Sequence, residues 1–188
     1  MISSDPRHPI LLNITDSALV LVRCAMLQTA VSGQSSGALA MTCLTDLKNW
    51  AEELGVPVLA TSMTDFRSTV VSADQQGFRS KPPDETFAAN PWDDEYFVDA
   101  VKATDRTKLV VGGFWTETAV SLTVLCALEQ GFDVYVLQDG VCGIELQSHR
   151  AALQRMRECG AVSTSCIQTL AEWSHESAPG MLKEKLSS

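Results

Sequence analysis

The sequence predicts an α/β protein built on a mostly parallel β-sheet. Three observations carry that expectation. Short β-like apolar runs alternate with helical segments along the chain. The helical segments close on glycines at Gly55, Gly131 and Gly160. A length of 188 residues, 45% apolar and 20% charged, suits one globular domain with a sizeable core. Strands alternating with helices imply right-handed crossovers and parallel pairing.

The first strand is expected over Pro9–Thr15, ending at Asp16. Residues 38–54 then place Leu39, Cys43, Leu47, Trp50 and Leu54 on one helical face, with Gly55 as the stop. Pro57–Thr61 reads as the second strand. Residues 62–91 carry no clear period and contain Gly77, Pro82, Pro83 and Pro91, which predicts a long irregular loop. Asp93 is placed to N-cap a helix over 94–103.

Lys108–Gly112 reads as the third strand, residues 116–130 as a helix and Asp133–Leu137 as the fourth strand. A helix over 146–159, a strand over Ala161–Thr164 and a short helix over 167–175 complete the alternation. The expected organisation is one domain over 1–176 and a polar tail over 177–188. In a parallel sheet the ligand lies beyond the carboxyl ends of the strands. That rule selects Asp16, Thr61–Thr64, Gly112–Glu117, Asp139–Gly143 and Thr164.

Charge and composition exclude several function classes. Fourteen basic and 23 acidic residues give a net charge of −9, which argues against nucleic acid or an anionic membrane as partner. The longest apolar runs are far too short to span a bilayer. The first nine residues lack the basic start and apolar run of a signal peptide, so a cytoplasmic protein is expected. Cys24, Cys43, Cys126, Cys142, Cys159 and Cys166 form no CxxC pair and no Cys/His spacing. They read as small buried hydrophobes, and no metal or other cofactor is expected.

Residues Lys108–Gly140 carry a specific pattern: Gly112, Trp115-Thr116-Glu117, Val120, Ala127, Gly131-Phe132, Val134, Val136 and Asp139. Asn90–Phe97 upstream, and His149, Arg155, Met156 and Gly160-Ala161 downstream, extend it. The pattern resembles the isochorismatase-like hydrolases, also called cysteine hydrolases. The resemblance implies a three-layer α/β/α sandwich around about six strands, assembled as a homo-oligomer. It also implies a nucleophilic cysteine after the third strand, an aspartate ending the first strand and a lysine in the loop before the middle helix. A helix N-terminus there lowers a thiol pKa and stabilises an oxyanion.

Matched residue by residue, the nucleophile position holds Ala119, which is no nucleophile. The lysine position falls near Glu85, with Lys81 four residues away. The aspartate position falls on Ile14 in a gapless alignment, or on Asp16 with a two-residue shift. Asp16 is the first candidate acid or base and Glu85 the second. Phe114, Trp115, Thr116 and Trp92 are expected around a small-molecule pocket, with Thr116 in an N-cap-like role. A non-proline cis peptide is expected at Glu117–Thr118 or its neighbour.

Three readings follow. The first is a small-molecule-binding protein that has lost thiol hydrolysis and retains altered acid/base chemistry. The second is a non-catalytic scaffold or regulatory subunit, assembling with itself or with an active relative. The third is a hydrolase with a nucleophile relocated to Cys142, near His149.

Overall fold

The structure, a computed structural model, describes residues 11–22, 35–64, 67–72 and 90–177. In chain order its elements are β1 (Ser17–Val22), α1 (Ser35–Leu54), β2 (Val58–Thr64), β3 (Arg67–Ser72), a 3-10 turn (Pro91–Asp93), α2 (Glu95–Ala103) and β4 (Lys108–Phe114). A π-type turn (Thr116–Val120) then leads into α3 (Ser121–Glu129), followed by β5 (Asp133–Cys142), α4 (Leu146–Glu158), β6 (Val162–Thr164) and α5 (Cys166–Ser177).

The sheet order is β3-β2-β1-β4-β5-β6. Five strands run parallel, and β3 adds to the edge of β2 antiparallel. Every residue of β1 and β4 is buried, as expected of central strands covered on both faces. On one face Val20, Val111 and Val136 pack with Phe97 and Val101 of α2, Val124 of α3 and Met156 of α4. On the other, Leu19, Leu21, Val110 and Leu137 pack with Leu44 and Leu47 of α1 and Trp173 of α5. The result is the expected three-layer α/β/α sandwich. None of the described helices is long and apolar enough to cross a membrane.

Four sequence expectations need correction. The first strand is Ser17–Val22, and Asp16 precedes it. The apolar run before it leads into a turn: Asp16 and Ser17 donate backbone N–H bonds to the Asn13 carbonyl, and the Asn13 N–H returns to Asp16 Oδ1 at 3.0 Å. A short polar residue bonding its own backbone favours a turn over a strand. The segment expected as loop contains β3, whose backbone pairs with β2 from Leu59↔Ser72 to Thr64↔Arg67. Asp94, one residue later than expected, caps α2 by accepting from the Tyr96 N–H at 3.0 Å. Finally, β4 and β5 run on past the expected ends at Gly112 and Leu137, to Phe114 and Cys142.

Close approach of β1 and β4 requires Gly113. Its φ is +134°, and a Cβ there would lie 2.0 Å from the Val22 carbonyl oxygen. The two strands therefore converge tightly at their carboxyl ends, where β4 hands over to the turn that builds the site.

Candidate functional site

The carboxyl end of β4 feeds directly into the π-type turn. The Phe114–Trp115 peptide is cis, three bonds earlier than the Glu117–Thr118 position expected. The Val120 N–H then reaches back to the Trp115 carbonyl at 3.2 Å, a bond one residue longer than an α-helical one. Trp115 occupies the cap position without a side-chain cap bond. Thr116 is therefore not the cap. Fully buried, its hydroxyl lies 2.9 Å from His149 Nδ1 on α4.

Glu117 makes the second bridge. Its Oε1 accepts the backbone N–H of Ile144 at 2.7 Å and of Glu145 at 3.3 Å. Its Oε2 is buried and has no hydrogen-bond partner among the described residues. Gly143 is the residue that lets these groups meet. A Cβ on it would lie 2.6 Å from Glu117 Oε2 and 2.7 Å from His149 Cβ. Burial lowers the His149 pKa; the neighbouring Glu117 carboxylate partly opposes this, and Arg150 adds to the lowering. Protonation of the imidazole is thus disfavoured relative to a free histidine, and one ring nitrogen is committed to Thr116.

A cleft of about 160 Å³ opens beside this bridge, lined by Val141, Cys142, Gly143, Ile144, Leu146 and His149 among others. Ile144 and Leu146 are also largely exposed. The pairing of Thr116 with His149, and Glu117 with the loop after β5, links the β4 turn to the mouth of α4. Glu117 belongs to the Trp115-Thr116-Glu117 pattern expected to shape this turn, but nothing in the sequence names the partners it takes. The residues it holds are backbone amides, which every sequence has.

The other site residues expected from sequence are scattered. Asp16 lies at the amino end of the sheet, where its Oδ2 pairs with Lys108 Nζ at 2.9 Å. β1 runs from Ser17 to Val22 between it and the carboxyl ends, so Asp16 does not face the cleft. Ile14 precedes it in the same turn. Trp92 is 8% exposed and packs edge-to-face on Phe97 and Phe132, with ring centroids 5.4 Å and 6.1 Å away. It is a core residue of the α2–α3 layer. Phe114 is fully buried among the side chains facing α1 and α5, with its ring edge-on to Trp115. Trp115 is half-buried at the turn itself. Glu85 and Lys81 lie outside the described residues.

Ala119 sits in the π-type turn, fully buried, with its methyl group in the apolar cluster of the α2–α4 layer. Its carbonyl accepts the Thr123 hydroxyl at 2.7 Å. Cys142 lines the cleft, but it is 5% exposed and belongs to the cluster facing α1 and α5.

Comparison with known proteins gives a consistent result. A model of the isochorismatase domain matches residues 20–168. "Probable hydrolase YcaC" of Escherichia coli K12 is 38% identical over 120 residues, spanning 61% of this chain and 57% of that protein. The nicotinamidase of the same organism is 35% identical over 75 residues, spanning 40% of this chain and 34% of that protein. These alignments thus cover between a third and somewhat over half of the relatives' lengths. The crystal structure of the E. coli YcaC gene product, described as an octameric hydrolase of unknown specificity, has a TM-score of 0.71 at 26% identity. That likeness covers 90% of this chain and 84% of that one.

Proposed function

The chain belongs to the isochorismatase family, and from that premise we propose that it is a member working without thiol hydrolysis, by binding and assembly. The observation that carries this reading is Ala119. It occupies the turn after β4 where the family resemblance implies the nucleophilic cysteine, and its methyl group is fully buried. A methyl group neither attacks a carbonyl nor takes up a proton.

The carboxyl end of β1 supports the same reading. That strand ends at Val22, and the sequence continues with Arg23; between Asp16 and Asp46 it contains no aspartate or glutamate. The position where an acid/base carboxylate is implied is therefore left without one, and Asp16 serves the opposite end of the sheet. Cys142 does not take over as nucleophile: its side chain packs toward α1 and α5, whereas His149 is committed to Thr116.

Binding and assembly rest on different features. The cleft beside His149 is small, has an apolar wall and carries a few polar groups, which suits a small organic ligand. Ile144 and Leu146 at its rim are 59% and 61% exposed. Apolar side chains grouped on a surface suit contact with a second copy of the chain. The octameric state of the E. coli YcaC gene product is in keeping with self-assembly. Light scattering of the purified chain tests assembly. A monomer at micromolar concentration would refute that part. Turnover assays on small amides test the absence of thiol hydrolysis.

A further inference from the structure

Three side chains on the α1/α5 face of the sheet converge away from the cleft. Cys43 comes from α1, Asp139 from β5 and Cys166 from the first position of α5. Their two sulfurs and a carboxylate oxygen all lie within 4.8 Å of one another. Cys166 is buried, Cys43 half-buried and Asp139 exposed. We propose that these residues form a three-ligand site for a thiophilic divalent cation of the zinc class.

Ligand geometry supports it. Zinc–sulfur bonds of about 2.3 Å in a tetrahedron place two sulfurs about 3.8 Å apart. The observed cluster needs to contract by at most about 1 Å to reach that spacing. Two thiolates and one carboxylate select zinc or cadmium over magnesium or calcium, which prefer all-oxygen shells.

The electrostatics distinguish a metal site from a redox pair. Burial and the Asp139 carboxylate push both thiols upward, Cys166 far above the usual thiol range. Without a cation the sulfurs stay protonated, so the thiolate needed for disulfide chemistry is scarce. A divalent cation reverses this balance. It binds both sulfurs as thiolates, neutralises two of the three negative charges and releases two protons to solvent. Asp139 is already fixed in orientation: both its oxygens accept the Cys166 backbone N–H, at 2.9 Å and 3.2 Å. That bond locks the carboxylate beside the Cys166 sulfur and restrains the start of α5.

The test uses the full chain, stripped of metal and kept reduced with a phosphine. Cadmium alone is titrated and read by the ultraviolet sulfur-to-metal charge-transfer band. Zinc is then competed against a chromophoric chelator. The expected result is one equivalent bound, with zinc affinity lowered at least about tenfold in Cys43→Ser and in Asp139→Asn. Asparagine retains an oxygen for the Cys166 N–H, so that variant keeps the α5 cap. The Cys159→Ser variant, at an exposed cysteine outside the cluster, is expected to bind as the parent does. The proposal is overturned by the absence of a charge-transfer band at one equivalent, or by unchanged binding in Cys43→Ser. Formation of a Cys43–Cys166 disulfide that leaves no metal-binding capacity after reduction would also overturn it.

Discussion

Lys108 Nζ and Asp16 Oδ2 lie 2.9 Å apart at the amino ends of β4 and β1. The lysine is 1% exposed and the aspartate 23%. Lys108 also donates to the Leu11 carbonyl at 2.7 Å. The pair therefore ties the turn before β1 to the first residue of β4 and sets the register Ser17↔Lys108. Removing the carboxylate takes one ion-pair partner from a buried ammonium. Asp16→Asn is expected to lower stability by about 1–3 kcal/mol, read from the urea midpoint. Ligand binding at the cleft should be unchanged, because Asp16 is at the other end of the sheet. Unaltered stability would show that the pair is not a structural clasp.

Gly113 sets the opposite end of the same two strands. A Cβ 2.0 Å from the Val22 carbonyl oxygen, at a φ of +134°, has no room and no relaxed conformation. Gly113→Ala is expected to destabilise by more than about 4 kcal/mol or to prevent folding. Soluble, cooperatively unfolding Gly113→Ala protein of near-parent stability would contradict the β1–β4 convergence.

Glu117 holds the loop after β5 through two backbone N–H groups. Glu117→Ala leaves both amides without that acceptor and is expected to cost about 1–2 kcal/mol. The sharper readout is hydrogen exchange. The Ile144 and Glu145 amides should lose protection while the β4 amides keep theirs. Uniform loss across the sheet would indicate global destabilisation and no specific bridge.

His149 makes stability depend on pH in a defined direction. Its folded pKa is lowered by burial, so the unfolded chain takes up the proton first as pH falls. Stability is therefore full above the ordinary imidazole value, about 6.5, and declines as pH drops below it. His149→Gln keeps a hydrogen-bonding partner for Thr116 and lacks the titration. Its urea midpoint should vary less between about pH 7 and pH 5 than the parent's. Equal slopes would place the titrating group elsewhere.

Ala119→Cys separates loss of the nucleophile from loss of the whole catalytic set. The site is fully buried, so the added sulfur should cost about 1–2 kcal/mol. No amide hydrolysis is expected to return, since β1 is followed by Arg23 and not by a carboxylate. Recovered turnover would mean that an acid/base group reaches the turn from elsewhere in the chain.

The alternation of elements from β4 to α5 is readable because apolar strand runs alternate with helical segments, and α3 and α4 stop where the backbone turns left-handed, at Gly131 and Gly160. The first strand is not. Pro9–Thr15 and Ser17–Val22 are both apolar runs. The local Asn13–Asp16 turn, the Asp16–Lys108 pair and the register with β4 together choose the second. That one shift moved Asp16 from the carboxyl end of the sheet to its amino end. Trp92 was misplaced for a related reason, because an aromatic residue near a turn reads alike whether it lines a pocket or fills a layer. The Cys43–Asp139–Cys166 cluster is invisible to spacing rules, since its members come from three elements far apart in sequence.

The proposed absence of thiol-dependent hydrolysis in this isochorismatase-family chain is tested most directly by the turnover of small amides, nicotinamide among them, by the wild-type chain, with and without iodoacetamide. No hydrolysis above the buffer rate and no effect of alkylation are expected. Saturable amide hydrolysis abolished by iodoacetamide would contradict it.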